Sequence, residues 1–186
     1  MERILTVGMQ KLDEEKFTPP VSIDEEIDGS YQINKLNGCL WGSTCIDGKM
    51  GLTSAWLEFA AENFNMKGDN ECISFVLKDA VRILTIDSRN DYLALPDKYF
   101  IDWCNGNFQI PIDRKVINWK AVSEDYDAFH LTYNGILELR NRNLFHPLVK
   151  DGNNLSTFYS WDVESWVIFN LDCIDKESIQ SFTITR

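Results

Sequence analysis

Apolar positions along the chain fall into short runs rather than long periodic stretches. Leu36–Trp41 reads as a core strand that ends in Gly42-Ser43-Thr44, and a polar loop, Cys45–Gly51, follows it. Thr53 or Ser54 is placed to cap a helix over Ala55–Asn63. There Leu57, Ala60, Ala61 and Phe64 recur at three- and four-residue spacings and make one apolar face. Two β-type runs come next, Cys72–Leu77 and Val81–Ile86, separated by Lys78-Asp79-Ala80. Asp87 is placed to cap a helical turn through Asp91–Leu95, which Pro96 stops. Tyr99–Trp103 reads as a second helical piece, and Val116–Ser123 as a third with Ile117, Trp119 and Val122 apolar. Tyr126–Tyr133 alternates as a strand does, and Ile136–Leu139, Ser165–Phe169 and Ile179–Ile184 read as further strands.

Strands therefore predominate after residue 70, with short helices between them. A doubly wound parallel sheet needs a regular alternation of strand and long helix, which this pattern lacks. The expected fold is α+β, with mainly antiparallel split sheets and short helices. One domain is expected over 1–186, with residues 1–35 as a lead-in arm and 36–186 as the core. Within that arm, residues 11–35 are polar and acidic and carry Pro19-Pro20. The Asn-, Gly- and Asp-rich segments 105–115 and 150–156 read as surface loops.

Composition narrows the partners. The chain carries 18 basic and 29 acidic residues, a formal net charge of −11. That field repels nucleic-acid phosphates and anionic membrane surfaces, and it suits a basic protein partner as well as plain solubility. Imitation of nucleic acid by a small acidic protein stays open beside these. Five cysteines, Cys39, Cys45, Cys72, Cys104 and Cys173, are odd in number and form no CxxC pair, so buried free thiols are expected. The amino-terminal segment has no basic flank followed by an apolar run of signal-peptide length, and no apolar stretch approaches a bilayer span. A cytoplasmic protein with no membrane contact is expected.

Common catalytic signatures are missing from the sequence. Its two histidines, His130 and His146, belong to no HExxH motif, and neither GxSxG nor a phosphate-cradling glycine loop occurs. No metal site is expected. Two acidic pairs remain, Asp125/Asp127 around Tyr126 and Asp162/Glu164 around Val163. Carboxylates at this spacing share a strand face and can act as acid and base; a solvated strand edge is the simpler explanation. Trp161 and Trp166 flank the second pair, and such neighbours can desolvate a carboxylate and stack a planar ligand.

Three segments, in order, resemble the ADP-ribosyltransferase-like family. Cys39-Leu40-Trp41-Gly42-Ser43-Thr44 resembles the family's opening strand, an apolar pair followed by Arg or His and a Gly-Ser/Thr turn. Leu52-Thr53-Ser54 and the helix ending Phe59-Ala60-Ala61-Glu62-Asn63 resemble its Ser/Thr strand end and following helix. Trp161-Asp162-Val163-Glu164-Ser165 and Trp166-Val167-Ile168-Phe169-Asn170 are similar to its late motif, an acidic residue opening an apolar strand, with Ile174 downstream. The resemblance covers about residues 36–180 through short, degenerate motifs.

It implies a split pair of antiparallel sheets holding NAD in a cleft, and transfer of ADP-ribose from NAD to a macromolecular target. Glu164 matches the carboxylate that stabilises the positive charge developing on the ribose, with Asp162 as the alternative. Trp41, Gly42, Ser43 and Thr44 match the cofactor-binding strand, Gly42 permitting close backbone approach. Thr53 and Ser54 match the positions that brace the cleft. Trp41 stands where the family usually has Arg or His, and a Trp stacks a ring but donates one hydrogen bond. Either the cofactor is held differently, or the fold serves binding alone, as an acidic interaction or inhibitor protein against a basic surface.

Overall fold

The computed structural model describes residues 2–20, 36, 38–48, 51–64, 68–103, 114–140, 148–155, 158 and 161–185. Strand β1 (Arg3–Val7) lies between β4 (Asp69–Val76) and β2 (Leu40–Gly48), antiparallel to both. On its far side β2 pairs antiparallel with β11 (Ser165–Ile168) and, farther along its course, with β3 (Gly51–Ser54). The order across this eight-stranded sheet is β12 (Gln180–Thr185), β4, β1, β2, β11, β8 (Ala128–Leu131) and β5 (Ile83–Ile86), with β3 added to β2. A four-stranded sheet runs β6 (Phe100–Trp103), β7 (Arg114–Ile117), β10 (Asn153–Leu155), β9 (Leu148–Lys150). Only β5–β8 and β7–β10 pair in parallel among the described strands. The fold is thus mixed α and β, mostly strands in open mixed sheets.

Short helices fill the connections: α1 (Ala55–Asn63), α2 (Arg89–Leu93), α3 (Trp119–Asp125) and α4 (Tyr133–Arg140). No helix among the described residues is long and apolar enough to cross a membrane.

Both faces of the large sheet carry a core. Strands β8 and β11 are buried at every position, with His130 and Ser165 the polar members of otherwise apolar runs. Phe129, Leu131 and Val167 face a cluster with Trp119, Phe158 and Trp161. Ala128, Trp166 and Ile168 face a second cluster with Ile4, Ile73 and Phe75.

Several sequence expectations move. The lead-in arm contributes β1, whose Ile4, Leu5 and Thr6 are buried in the middle of the sheet. The strand expected at Leu36–Trp41 begins at Leu40 and runs on to Gly48, inside the supposed loop Cys45–Gly51, where it pairs with β3. At this end of β2 Ile46, 49% exposed, and Asp47 face solvent, which accounts for the polar look. Tyr99–Trp103 is largely strand β6, and Val116–Ser123 divides into the end of β7 and helix α3, whose N-cap Asn118 marks the break. Ile136–Leu139 is helical: Ile136 and Leu139, three apart, are buried while Leu137 is 44% exposed. Ser88 rather than Asp87 caps α2, in a capping box with Asp91. The loop expected at 150–156 holds hairpin β9–β10, turned by Asp151 and Gly152, both at positive φ. Helix α1, β8, β11 and β12 stand close to where the sequence put them. Residues 21–35 and 105–113, Cys104 and His146 lie outside the described residues.

Candidate active site

Pairing with β3 on one stretch and β11 on another makes β2 the meeting place of the three motif segments. Trp166 lies opposite Gly42 and Val167 opposite Trp41, while Cys45 lies opposite Ser54. Alternation along the strand then divides the motif residues between two faces.

On one face Trp41 meets Trp161, ring centroids 4.7 Å apart, and Trp161 stacks on Trp119 at 6.0 Å. A cavity of about 170 Å3 opens here. Its walls are Trp41, Trp56 and Trp161, with Asp162, Val163 and Ser165 along one side and Gly42 at the base of Trp41. The indole nitrogen of Trp41 donates to the Leu36 carbonyl at 3.0 Å, so this ring offers the cavity its face rather than its donor. Three aromatic walls and one carboxylate suit a flat ring of positive character, because aromatic faces and carboxylates both attract cations.

On the other face Glu164 is buried, 9% exposed, and makes three hydrogen bonds. The Thr44 backbone N–H and hydroxyl each donate at 2.9 Å, and His130 Nε2 lies 2.7 Å from Oε1. Thr44 Oγ1 in turn accepts from the Trp166 indole at 3.0 Å, and the His130 ring stacks on Trp166 at 3.9 Å. This network ties β2, β11 and β8 together at one end of their pairing. Its Glu164 is not among the residues that wall the cavity.

The other motif residues have local structural partners. Ser54, fully buried, is the N-cap of α1 and accepts from Leu57 N at 3.3 Å. Ser43 Oγ accepts from Trp56 N at 3.0 Å, so two first-turn N–H groups that no helix carbonyl can reach are satisfied. Thr53 donates to Glu58 at 3.2 Å. The space beside Gly42 is filled by β1: a Cβ there would stand 2.6 Å from Ile4 Cγ2 and 2.8 Å from the Leu5 carbonyl oxygen. The close approach this glycine permits is strand on strand.

The first acidic pair is engaged in structure. Asp127 accepts from the Arg82 guanidinium through both oxygens, at 3.2 Å each, and from the Arg82 backbone N–H at 3.1 Å. Asp125 accepts from Lys98 and, at 2.5 Å, from the Tyr99 hydroxyl. The Arg82 bond holds the Asp127 carboxyl below its ordinary range, and the Lys98 bond does the same for Asp125. Burial pushes the thiols of Cys39 and Cys173 up to about 12 and that of Cys72 to about 11. Cys39, Cys45, Cys72 and Cys173 are all free. Such thiols are protonated at neutral pH and make poor nucleophiles.

No protein-family model, curated protein or solved structure matches the chain. The case for chemistry therefore rests on the cavity itself. Two features are absent from the sequence motifs: Trp56, which lines the cavity, and the link between His130 and Glu164. Trp56 had a signal: it sits two residues past the Ser54 cap, in the first turn of a helix whose start was legible.

Proposed function

We propose that the protein transfers ADP-ribose from NAD to a macromolecular target, with the nicotinamide ring received by the cavity of Trp41, Trp56 and Trp161. The observation that carries this reading is the gathering of the first and third motif segments, with Trp56 from the helix that follows the second, around one aromatic-walled space beside a carboxylate. Its volume of about 170 Å3 suits one ring with its amide and excludes a whole dinucleotide. The described lining residues include no Lys or Arg to pair a diphosphate, so the fit concerns the cationic end of NAD.

In such a transfer the bond between ribose and ring nitrogen breaks, and its electron pair neutralises the pyridinium. The acceptor atom bonds to the ribose carbon and releases its proton to solvent. Positive charge grows on the ribose as the ring leaves, and a fixed carboxylate lowers the energy of that state. Asp162, on the cavity wall, is the group assigned this role; Glu164, saturated by Thr44 and His130, braces the strands instead. Calorimetric titration with NAD and incubation with labelled NAD and a cell lysate test the reading. Asp162→Asn should keep NAD affinity within about threefold and lose on the order of a hundredfold in transfer. A wild-type protein that neither binds NAD nor labels any lysate component ends it.

A second reading is favoured by the saturation of Glu164, the family's expected catalytic position: a non-catalytic acidic protein that holds a basic partner. NAD binding without transfer, or no NAD binding at all, is the result that selects it.

A further inference from the structure

The outer side of α1 carries a file of aromatic rings that starts at the cavity. Trp56, which walls the cavity, stacks on Phe59 with centroids 5.7 Å apart and planes 22° apart. Phe59 meets Phe64 edge-on, again at 5.7 Å. Phe64 is 62% exposed, on a face where a Phe contributes nothing to the core. At 100° per residue Phe59 projects between Glu62 and Asn63, and Glu58 lies next around the helix from Glu62. Glu58, Glu62 and Asn63 are all exposed. No Lys or Arg occurs from 51 to 64.

Glu62 stands in the last turn of α1, where the helix's own carbonyls already concentrate negative charge, and that turn carries no basic residue. Placed there, a carboxylate works against the helix and in favour of an incoming cation. An exposed ring, continued by two half-buried ones and set beside exposed carboxylates, is complementary to Lys and Arg side chains, whose charged heads stack on rings and whose methylene stems cover apolar surface.

We infer that the outer face of α1, Trp56, Phe59 and Phe64 with Glu58 and Glu62, is a docking surface for a Lys- or Arg-bearing segment of a partner protein. The ring file would lead that segment toward the cavity mouth. The purpose of delivery rests on the transferase reading; the binding itself does not.

The probe is fluorescein-labelled nona-arginine, followed by anisotropy in 0.15 M salt so that long-range attraction is screened. Wild type is compared with Glu62→Gln/Phe64→Ser and with Glu15→Gln/Asp172→Asn, which removes two exposed acids away from this face. Affinity should fall roughly tenfold in the first variant, from one lost ring face and one lost charge, and less than twofold in the second. Glu62→Gln alone, which retains every aromatic and the helix, should give part of the loss and guards against a fold defect from Phe64→Ser. Equal losses in both double variants, or no loss in the first, overturn the docking surface. NAD titration of the same proteins separates the two readings, because neither Glu62 nor Phe64 lines the cavity. Normal NAD binding with unaltered peptide binding in the first variant defeats docking alone. Ridge-dependent peptide binding without NAD binding defeats the transferase alone.

Discussion

Glu164 and Asp162 are two residues apart, yet the chain turns them to different work. Asp162 stands on the cavity wall, whereas Glu164 enters the edge of β11 and is met by Thr44 from β2 and His130 from β8. Both Thr44 contacts donate to the carboxylate, the N–H to one oxygen and the hydroxyl to the other, so each oxygen serves as an acceptor. Glu164→Gln replaces one oxygen with an NH2 group that faces donors, leaving a buried pair unmet. The expected cost is about 2 kcal/mol of unfolding free energy, read by urea denaturation. Transfer, where present, should fall only as far as the site loosens. A Gln variant as stable as wild type but inactive returns Glu164 to the chemistry and removes the brace. The spacing of the two carboxylates was legible in the sequence; their opposite destinations were not, because they depend on where β11 begins.

At the scale of elements, the sequence was readable wherever a cap or a one-sided pattern marked the boundary. Helix α1 was legible from Ser54 and the spacing of Leu57 and Ala60, and its observed bounds coincide with the expected ones. Where an apolar run was short, period could not separate strand from helix, and α4 and β6 were each assigned to the other class. Strand β1 was passed over because five residues next to a polar arm look like part of it; only pairing on both sides reveals its central place. That pairing also sets the role of Gly42. A ligand-facing glycine and a strand-packing glycine predict different results for Gly42→Ala. Here the added methyl meets Ile4 and the Leu5 carbonyl, and the strands must separate to admit it. A destabilisation of about 1–3 kcal/mol in ligand-free protein is expected by denaturant titration. Unchanged stability with weakened NAD binding would point back to the ligand.

Across the whole molecule, ionisable groups make stability fall away at both ends of the pH scale, for opposite reasons. Asp127 is held below its ordinary range chiefly by its bond to Arg82, and Asp125 by its bond to Lys98. A carboxyl whose folded value lies below its unfolded value adds stability above the unfolded value, near 3.8, and loses it as pH falls through the folded one. The acid limb therefore starts at about pH 4 to 5. Cys39, Cys72 and Cys173 shift the other way, from 9.0 to about 12, 11 and 12, because burial penalises the thiolate. Their contribution is intact below pH 9 and is lost as pH rises toward 11 to 12, since the unfolded chain sheds these protons first. Unfolding free energy should be level from about pH 5 to 8 and decline on both sides. Asp127→Asn should lower the plateau and shallow the acid limb, leaving the alkaline limb in place. Cys72→Ala/Cys173→Ala should shallow the alkaline limb and leave the acid one. The same free thiols predict that a reductant will not change the melting temperature, and that alkylation in native buffer will be slow until denaturant is added. An alkaline limb of unchanged slope in the double Cys variant would assign it to other groups, Tyr99 first among them, whose burial also raises its hydroxyl above the ordinary value.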